Sequence, residues 1–352
     1  MTHHNLALLG FGNVGRSLAR LLLRKQDELK TRYDITFAVT GIATGRRGAA
    51  VDPHGLDLNR ALEIVESAGN LSSIHNQPST ITNNLDFIRH SSAHALFENT
   101  PVSYDDGEPA ITHIRTALEL GMHALTANKG PVVHAYRELT ALAAQHGVRF
   151  FHESTVMDGA PIFSLFRGTL PAAQLKSFRG ILNSTTNLIL GRMENGESFE
   201  DAVKYAQKIG IAETDPGGDV DGWDAAIKVS ALATVLMDIP LKPGQVDRTG
   251  IGGLTSADIA KAQAEGKRWK LVCSATRTES SVSARVAPEL VGPESPMFGV
   301  SGTSSIVQFE TDVLGLLSVV EDNPGPDTTA YGLLADFVNA VRQEYNADFT
   351  DF

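Results

Sequence analysis

The stretch ETDPGGDVDGWDAAIK, residues 213–228, concentrates carboxylates ahead of one lysine, the residue types needed for charge recognition and proton transfer. Its charged members are Glu213, Asp215, Asp219, Asp221, Asp224 and Lys228. Asp224 and Lys228 are four residues apart, so a helix would place them on one face. A lysine among carboxylates stays protonated and can donate a proton to a carbonyl oxygen, while the carboxylates can bind a substrate ammonium group. The alternative is a solvated ion pair on a helix surface, worth well under about 1 kcal/mol.

A calcium loop of the EF-hand type is the obvious metal interpretation of these acids, and the spacing excludes it. When Gly222 is aligned with the loop glycine, Gly217 occupies the first ligand position and Lys228 the last. Two key ligands are missing, and a cation replaces one of them.

A helix is predicted over residues 223–238, because its apolar residues recur at helical spacing. Asp221 stands where an N-cap residue would be, and Asp224 falls in the first turn, near the positive end of the helix. Part of the acidic cluster therefore has a structural explanation, which is favoured for Asp221. Asp215 is expected to shape the turn.

Polar side chains also follow a predicted strand at residues 179–182, in the row NSTTN at 183–187. Ser or Thr in this row can cap the helix that follows. The same row, with Asn183 and Thr185, can line a polar substrate pocket. A further helix is predicted from Ser198 to Gly210, with a capping pattern at its start.

A dinucleotide-binding element precedes all of this at the N-terminus, where a strand, a glycine turn and a helix follow in order. The turn consists of Gly10, Phe11, Gly12, Asn13, Val14 and Gly15. Gly10 permits a tight turn, Gly12 lets backbone N–H groups approach a pyrophosphate, and Gly15 lets the helix pack closely on the strand. A glycine turn that only packs a helix on a sheet is the alternative.

The second strand, at residues 35–43, lacks the acidic residue that would bind the ribose 2′-OH of NAD. Arg46 and Arg47 follow it instead, and an arginine can pair with a 2′-phosphate. We therefore predict a preference for NADP, with NAD as the second cofactor. A solvated basic loop is the alternative.

Further β/α units are predicted by a strand at 95–100, by a strand followed by a polar turn at 122–130, and by helices at 108–121 and 136–147. Ligands of open α/β sheets bind at the carboxyl ends of the strands. Asn99, Thr100, Asn128 and Lys129 fall at these ends. Lys129 can contact the nicotinamide ribose, a substrate carboxylate or both; the alternative is a surface lysine in a loop.

Composition limits the classes of protein that fit. The 352 residues favour two domains, and the net charge of −11 argues against a nucleic-acid partner. No apolar run is long enough for a membrane span, and the first residues do not resemble a signal peptide. The single cysteine, Cys273, excludes an internal disulfide, so a cytoplasmic location is expected.

An irregular turn within residues 148–166 contains one carboxylate, Glu153, and is followed by a second apolar stretch. Its exposed carbonyls could hold a hard cation. The residues alone favour a structural turn.

Five motifs in this order resemble homoserine dehydrogenase: GFGNVG, LTANKGPV, HESTVMDGAP, GILNSTTNLIL and AETDPGGDVDGWDAAIK. The resemblance implies interconversion of L-homoserine and L-aspartate 4-semialdehyde with NAD(P)H by a homodimer. It implies an α/β protein with a Rossmann-like dinucleotide-binding domain at 1–135, an α+β catalytic and dimerisation domain at 136–323, and a C-terminal helix at 324–352 that returns to the first domain.

Residue roles also follow from the resemblance. It places the proton donor at Lys228, the substrate-binding acid at Glu213, further site acids at Asp219 and Asp224, and the lysine of the ANK motif at Lys129. It also implies a sodium site formed by the Glu153 side chain and by the carbonyls of Val156, Asp158 and Ala160.

The chain departs from the family pattern in three places. Asn99-Thr100-Pro101 replaces a turn rich in glycine, and Gly325 is the best match to a cofactor segment that usually contains more glycines. The predicted closing helix at 333–345 leaves no room for the regulatory module of many members, so threonine feedback through it is not expected.

Two rival functions remain open at this stage. An aspartate-semialdehyde dehydrogenase would handle the same aldehyde but needs a thiol nucleophile, and Cys273 lies in a run that resembles a core strand. A non-catalytic NADP-sensing protein would not require Lys228 or Glu213.

Overall fold

The computed structural model describes residues 1–74, 81–279 and 281–342. The chain divides into two compact units: unit 1 comprises Met1–Pro161 and Gly325–Phe352, and unit 2 comprises Ile162–Pro324. The division lies at 161/162 rather than at the expected 135/136. The helical segment Lys129–Gln145 is kinked at Ala135, but the strand after it still belongs to the sheet of unit 1.

Unit 1 contains a six-stranded sheet in the order β3-β2-β1-β4-β5-β6. Its strands are β1 (Thr2–Leu9), β2 (Ile35–Ala43), β3 (Ala49–Val51), β4 (Ala95–Glu98), β5 (His123–Thr126) and β6 (Phe150–Phe151). All pairs are parallel except β2 with β3. Strands buried on both faces need continuous apolar runs, and the inner end of β1 provides one from Leu6 to Leu9. This is the predicted Rossmann-like sheet.

Helices connect these strands and cover the sheet. They are α1 (Asn13–Tyr33), α2 (Leu58–Glu66), α3 (Asn84–His90), α4 (Ala110–Glu119) and α5 (Lys129–Gln145). Short 3₁₀ turns lie at Leu71–Ile74 and Glu153–Thr155. The apolar face of α1 packs into the main core of unit 1 through Leu18 and Leu22, both fully buried. Burial of each leucine contributes about 1.5–3 kcal/mol to the free energy of folding. The packing of this face therefore fixes where α1 begins above the sheet.

Unit 2 contains a second six-stranded sheet, in the order β12-β11-β7-β9-β10-β8. Its strands are β7 (Leu175–Ile181), β8 (Asp247–Arg248), β9 (Arg268–Arg277), β10 (Val282–Val291), β11 (Ser305–Thr311) and β12 (Gly315–Glu321). Only the β8–β10 pair is parallel. A mostly antiparallel sheet with separate helices is the expected α+β arrangement.

The helices of unit 2 are α6 (Phe163–Thr169), α7 (Ser184–Glu194), α8 (Phe199–Lys208), α9 (Gly217–Val220), α10 (Trp223–Leu236) and α11 (Ser256–Ala264), with a 3₁₀ turn at Pro243–Gln245. α10 is apolar on most of its surface, and buried residues run from Ala225 to Thr234. A helix of this kind is enclosed by its unit. Its first two turns carry Asp224 and Lys228, which are therefore held on a rigid element.

The last described helix, α12 (Pro326–Val341), belongs to unit 1 and packs on α1. Part of the predicted closing helix, from residue 343 onwards, lies outside the described residues. None of the helices in the described ranges is long and apolar enough to cross a membrane.

Candidate active site

The glycine turn between β1 and α1 is formed by close backbone contacts. Gly10 has φ +94°, and a Cβ on it would collide with the Asn99 carbonyl. A Cβ on Gly15 would collide with the Gly10 carbonyl. Around Gly12, by contrast, no atom lies within 4 Å of the position a Cβ would take. The turn therefore leaves open space at the one glycine whose backbone should approach a pyrophosphate.

The N-terminus of α1 faces the same turn. Gly12 is its N-cap, no side chain caps it, and the first turn contains no acidic residue. Asn13 accepts a hydrogen bond from Arg16 at 2.8 Å, while Phe11 is buried in the core and Val14 packs against it. Uncapped N–H groups and the helix dipole favour an anionic group here, so the residues present fit a dinucleotide phosphate.

The two arginines after β2 lie in the turn between β2 and β3. Arg46 is exposed, and Arg47 is half-buried. The Arg47 N–H donates to Thr44 Oγ1 at 2.6 Å, and its carbonyl accepts from Leu71 N–H at 2.8 Å. The backbone of Arg47 is thus fixed, whereas Arg46 extends from the surface.

A buried carboxylate that the sequence did not reveal joins the carboxyl ends of β4 and β5. Glu98 is fully buried, and it accepts hydrogen bonds from Thr100 N–H and from Thr126 Oγ1, each at 3.0 Å. Asn128 Nδ2 donates to the Thr100 carbonyl at 3.1 Å. The strand-end pattern identified Thr100 and Asn128 as candidate site residues. Glu98 was not identified, because the sequence places it inside a predicted strand.

Lys129 is the first residue of α5 and is half-buried, so it does not lie in the loop that the alternative interpretation assumed. Asn128 caps this helix by accepting from Gly130 N–H at 2.9 Å. Since Asn128 is also bonded to the neighbouring loop, the backbone at Lys129 is fixed at the carboxyl edge of the sheet.

In unit 2, Asn183 is the N-cap of α7, a position that had been predicted for Ser or Thr. Its Oδ1 accepts from Thr186 N–H at 2.8 Å. Its Nδ2 donates to Asp219 at 2.6 Å and to Asp224 at 3.0 Å. An amide has both a donor and an acceptor, whereas a hydroxyl could not cap the helix and also bridge two carboxylates.

Asp219 lies on α9, opposite the start of α7, in this cluster. Burial and the nearby Asp224 carboxylate raise the pKa of Asp219, although hydrogen bonds from Asn183 and Thr185 oppose the change. The cluster is therefore a place of concentrated negative charge, which is unfavourable unless a cation joins it.

Lys228 supplies a cation from α10. Its Nζ lies 3.3 Å from Asp224 Oδ2 and donates to the Leu182 carbonyl at 2.7 Å. The exposed fractions of the Lys228 and Asp224 side chains are 13% and 15%, which excludes the solvated surface pair considered above. The structure thus brings together the predicted residues Asn183, Thr185, Asp219, Asp224 and Lys228.

Three other acids of the 213–228 stretch lie apart from this cluster. Glu213 is exposed, and no hydrogen bond or ion pair joins its carboxylate to the other described residues. Asp215 shapes the turn as expected, since it accepts from Gly217 N–H at 3.0 Å.

The prediction that Asp221 caps α10 is wrong. Gly222 is the N-cap of that helix, and its φ of +82° is one that glycine adopts without strain. Asp221 instead ends the short helix α9, which the sequence pattern did not reveal.

The turn implied as a sodium site lies in unit 1 and begins at the 3₁₀ turn Glu153–Thr155. Glu153 is buried, and its N–H donates to Asp336 Oδ2 at 2.8 Å. The Ala160 N–H closes the turn by donating to the Met157 carbonyl at 2.8 Å. A hard cation prefers carboxylate and carbonyl oxygens, and the buried Glu153 with the carbonyls of this turn supplies both types, so the residues present fit the implied site.

Gly325 is the N-cap of α12. Its N–H donates to Thr328 Oγ1 at 2.9 Å, and no atom lies within 4 Å of where its Cβ would be.

Cys273 lies on the central strand β9 and is completely buried. Burial raises the pKa of its thiol to about 12. A thiol nucleophile must be accessible and ionised, so the chain lacks the group that an aspartate-semialdehyde dehydrogenase requires.

Two family models match the chain and together cover both units. The model for homoserine dehydrogenase matches residues 161–338, and the model for the NAD-binding domain of homoserine dehydrogenase matches residues 10–153.

Individual proteins match over nearly the full length. The NAD(+)-dependent homoserine dehydrogenase of Pseudomonas canavaninivorans is 37% identical over 96% of each chain. A putative homoserine dehydrogenase of Archaeoglobus fulgidus has a TM-score of 0.82 and 30% identity, over 95% of this chain and 98% of its own. A hyperthermophilic archaeal homoserine dehydrogenase in complex with NADPH has a TM-score of 0.81 and 28% identity, over 96% of this chain and 98% of its own.

Proposed function

This chain belongs to the homoserine dehydrogenase family and carries out its NAD(P)-dependent interconversion of L-homoserine and L-aspartate 4-semialdehyde; we propose that Lys228 is the proton donor. The observation that carries the proposal is the largely enclosed Lys228–Asp224 pair, joined through Asn183 to a second carboxylate.

Substrate binding is assigned to the negative charge of this cluster. Asp219 and Asp224 attract the ammonium group of the amino acid, and Glu213 is proposed to complete this recognition from the exposed segment before α9. Asn183 and Thr185 keep the carboxylates oriented through the hydrogen bonds described above. The excess of acids in the cluster thus becomes favourable when the cationic substrate arrives.

Proton transfer is assigned to the Lys228 ammonium group. The bound nicotinamide cofactor supplies the hydride that reduces the aldehyde carbon. Lys228 donates a proton to the oxygen that becomes an alcohol, and Asp224 and the Leu182 carbonyl hold its Nζ in place. In the reverse direction the neutral amine accepts the proton from L-homoserine.

The test is the oxidation of L-homoserine with NADP, followed by absorbance of the reduced cofactor, for the wild type and Lys228→Ala. We expect kcat to fall about 100- to 10,000-fold, the usual contribution of a positioned acid or base, while NADPH affinity stays near the wild-type value. A Lys228→Ala variant with nearly normal kcat would refute the role.

A matched control is Lys204→Ala, which removes a lysine that also pairs with an acid on its own helix, Asp201. That pair is solvated, with 73% and 65% of the two side chains exposed, so its loss should leave kcat unchanged.

Cofactor binding is assigned to the glycine turn and the carboxyl edge of the unit 1 sheet. The proposed contacts are Gly10, Phe11, Gly12, Asn13, Val14, Gly15, Arg46, Arg47, Asn99, Thr100, Lys129 and Gly325. Arg46 and Arg47 support a preference for NADP, because a 2′-phosphate binds a cation. The acidic residue that would bind the ribose 2′-OH of NAD is absent after β2. Lys129 is proposed to act at the reacting end, on the nicotinamide ribose or on the substrate carboxylate.

We also propose that sodium binds at the buried Glu153 carboxylate and the carbonyls of Val156, Asp158 and Ala160, because a hard cation prefers such oxygen ligands. The ion would stabilise this turn against α12, because Thr329 Oγ1 donates to Asp158 Oδ1 at 2.6 Å. Replacing sodium by choline at constant ionic strength should lower the melting temperature, and no change would contradict the site.

A homodimer is proposed through the sheet of unit 2. On its edge strand β12, Leu316 is 70% exposed and Val320 52% exposed, and they lie on one face because side chains alternate along a strand. Sedimentation equilibrium of the wild type and Leu316→Glu would test this, since the charged variant should dissociate.

A further inference from the structure

Lys270 is a cation buried in unit 2 outside the proposed catalytic cluster. It lies on β9, and only 1% of it is exposed. Its neighbour on the same face of the strand, Val272, belongs to an apolar cluster with Ile181 and Met297. An apolar side chain would suit this environment, so the amine needs another explanation.

The amine connects α7 to the chain before β11. Lys270 Nζ donates to Asn187 Oδ1 at 2.8 Å and to the Val300 carbonyl at 2.6 Å. Asn187 Nδ2 in turn donates to the carbonyls of Gly302, at 3.2 Å, and Ser304, at 3.3 Å. Both ends of the Asn187 amide are therefore committed to holding this helix in place.

Asn187 lies one helical turn after Asn183, the residue that bridges the two carboxylates of the cluster. The distances from Asn183 to Asp219 and Asp224 are 2.6 and 3.0 Å, so a small shift of α7 along its axis would break either hydrogen bond.

Two charged groups lie near the amine. Burial lowers the pKa of Lys270 to about 8, the Glu194 carboxylate opposes this change, and Arg268 adds to it. A neutral amine still has two N–H groups for its two acceptors, so the connection persists on either side of this pKa.

We propose that Lys270 is a positioning residue for the substrate site: through Asn187 it sets the position of α7 and hence the Asn183 bridge between Asp219 and Asp224. This inference rests on the substrate role proposed for that cluster. Lys270 has no direct role in proton transfer.

The test is Lys270→Met, which retains much of the side-chain length and removes the donors. We expect KM for L-homoserine to rise by about tenfold, with KM for NADP changed less than about twofold, because only the substrate-orienting groups shift. The control is Arg268→Met, two residues earlier on β9, whose partner Glu194 lies 3.0 Å away at the far end of α7. It should lower the melting temperature and leave KM for L-homoserine unchanged.

The double variant Lys270→Met, Asn187→Leu distinguishes positioning from general destabilisation. If Lys270 acts through Asn187, the double variant should have the same KM for L-homoserine as either single variant. If Lys270→Met does not fold, Asn187→Ser carries the same expectation. A folded variant with unchanged KM, or additive effects in the double variant, would overturn the inference. A wild type without homoserine oxidation would instead overturn the proposed function.

Discussion

The glycine turn of unit 1 presents backbone to its ligand, whereas the cluster around Lys228 in unit 2 presents charged side chains. In the first, Gly10 and Gly15 allow main-chain groups to approach within van der Waals contact, and no charged side chain caps α1. In the second, Asn183 links Asp219 and Asp224, and Lys228 balances part of their charge.

The difference concerns what each region costs the folded state. The glycine turn lowers the stability of the folded state by little more than the conformational entropy that its glycines lose. A buried group of acids costs stability until its cationic ligand binds, as the raised pKa of Asp219 shows. The substrate cluster should therefore be the part of the molecule where function and stability are opposed.

The largest effect on this comparison is expected from Gly12→Ala and Gly15→Ala. Gly12 has open space around it, so alanine should fold normally but occupy the position of the pyrophosphate. Overpacking of this kind costs about 1–3 kcal/mol, or about five- to 150-fold in affinity for NADPH.

Gly15→Ala serves as the contrast, because its Cβ would collide with the Gly10 carbonyl. It should lower both NADPH affinity and the melting temperature. Fluorescence titration and thermal unfolding measure the two quantities. A Gly12→Ala variant that binds NADPH normally would contradict the proposal that the pyrophosphate lies against the backbone of Gly12.

Asp219→Asn should separate function from stability in unit 2. A carboxylate whose pKa is raised in the folded state destabilises the fold increasingly as pH rises from the ordinary carboxyl pKa through the raised one. The variant should therefore melt at a higher temperature at pH 7, while KM for L-homoserine rises about tenfold through loss of one charge. A variant that is less stable and has an unchanged KM would show that the cluster is structural.

Replacing Arg46 and Arg47 together by alanine should reduce the preference for NADP over NAD by about tenfold, the contribution of one charge-assisted hydrogen bond. The ratio of kcat/KM for the two cofactors measures it. Arg60→Ala, which removes an exposed arginine of unit 1 that pairs with Glu63, is the control and should leave the ratio unchanged.

The smallest effect at neutral pH is expected from His123, at the amino end of β5, away from the cofactor edge. Burial, followed by His4, Arg149 and His94, lowers its pKa to about 4. The unfolded chain then binds more protons than the folded one between about pH 4 and 6.5, so stability is lost as pH falls through this window.

His123→Asn removes this titration and keeps an acceptor for the Arg149 N–H, which donates to His123 Nδ1 at 3.0 Å. The loss between pH 6.5 and 4, up to about 3 kcal/mol, should shrink in the variant. Urea unfolding at several pH values measures it, and an identical pH dependence in both proteins would contradict the assignment. Asp219 and His123 thus give the two units opposite responses to acid.

The two regions also differ in how far the sequence predicts them. The order of strand, glycine turn and helix specifies the start of unit 1, because each glycine is required by a local backbone contact. The strand from Ile35 to Ala43 was predicted to the residue. Glu98 was missed, since a carboxylate inside an apolar strand acquires its partners only when β4 and β5 lie side by side.

In unit 2 the sequence indicates which residue types belong to the site, but it does not predict which residues they contact. The i,i+4 spacing of Asp224 and Lys228 gave the one contact that lies within a single helix. Asn183 meets Asp219 across 36 residues and Asp224 across 41, and Lys270 meets Asn187 across 83, so no local pattern reports these contacts. The same limit explains why the prediction that Asp221 caps α10 is wrong: Gly222 turns the chain between α9 and α10 and is itself the N-cap.

The sequence by itself determined the backbone cradle and the pairing of Asp224 with Lys228, because both depend on neighbours within a few residues along the chain. Only the tertiary structure decided which acids join that pair, that Cys273 is sealed in the core, and that Lys270 supports α7. The physical reason is that burial and long-range hydrogen bonds, which set charge and position in this cluster, depend on packing between distant segments.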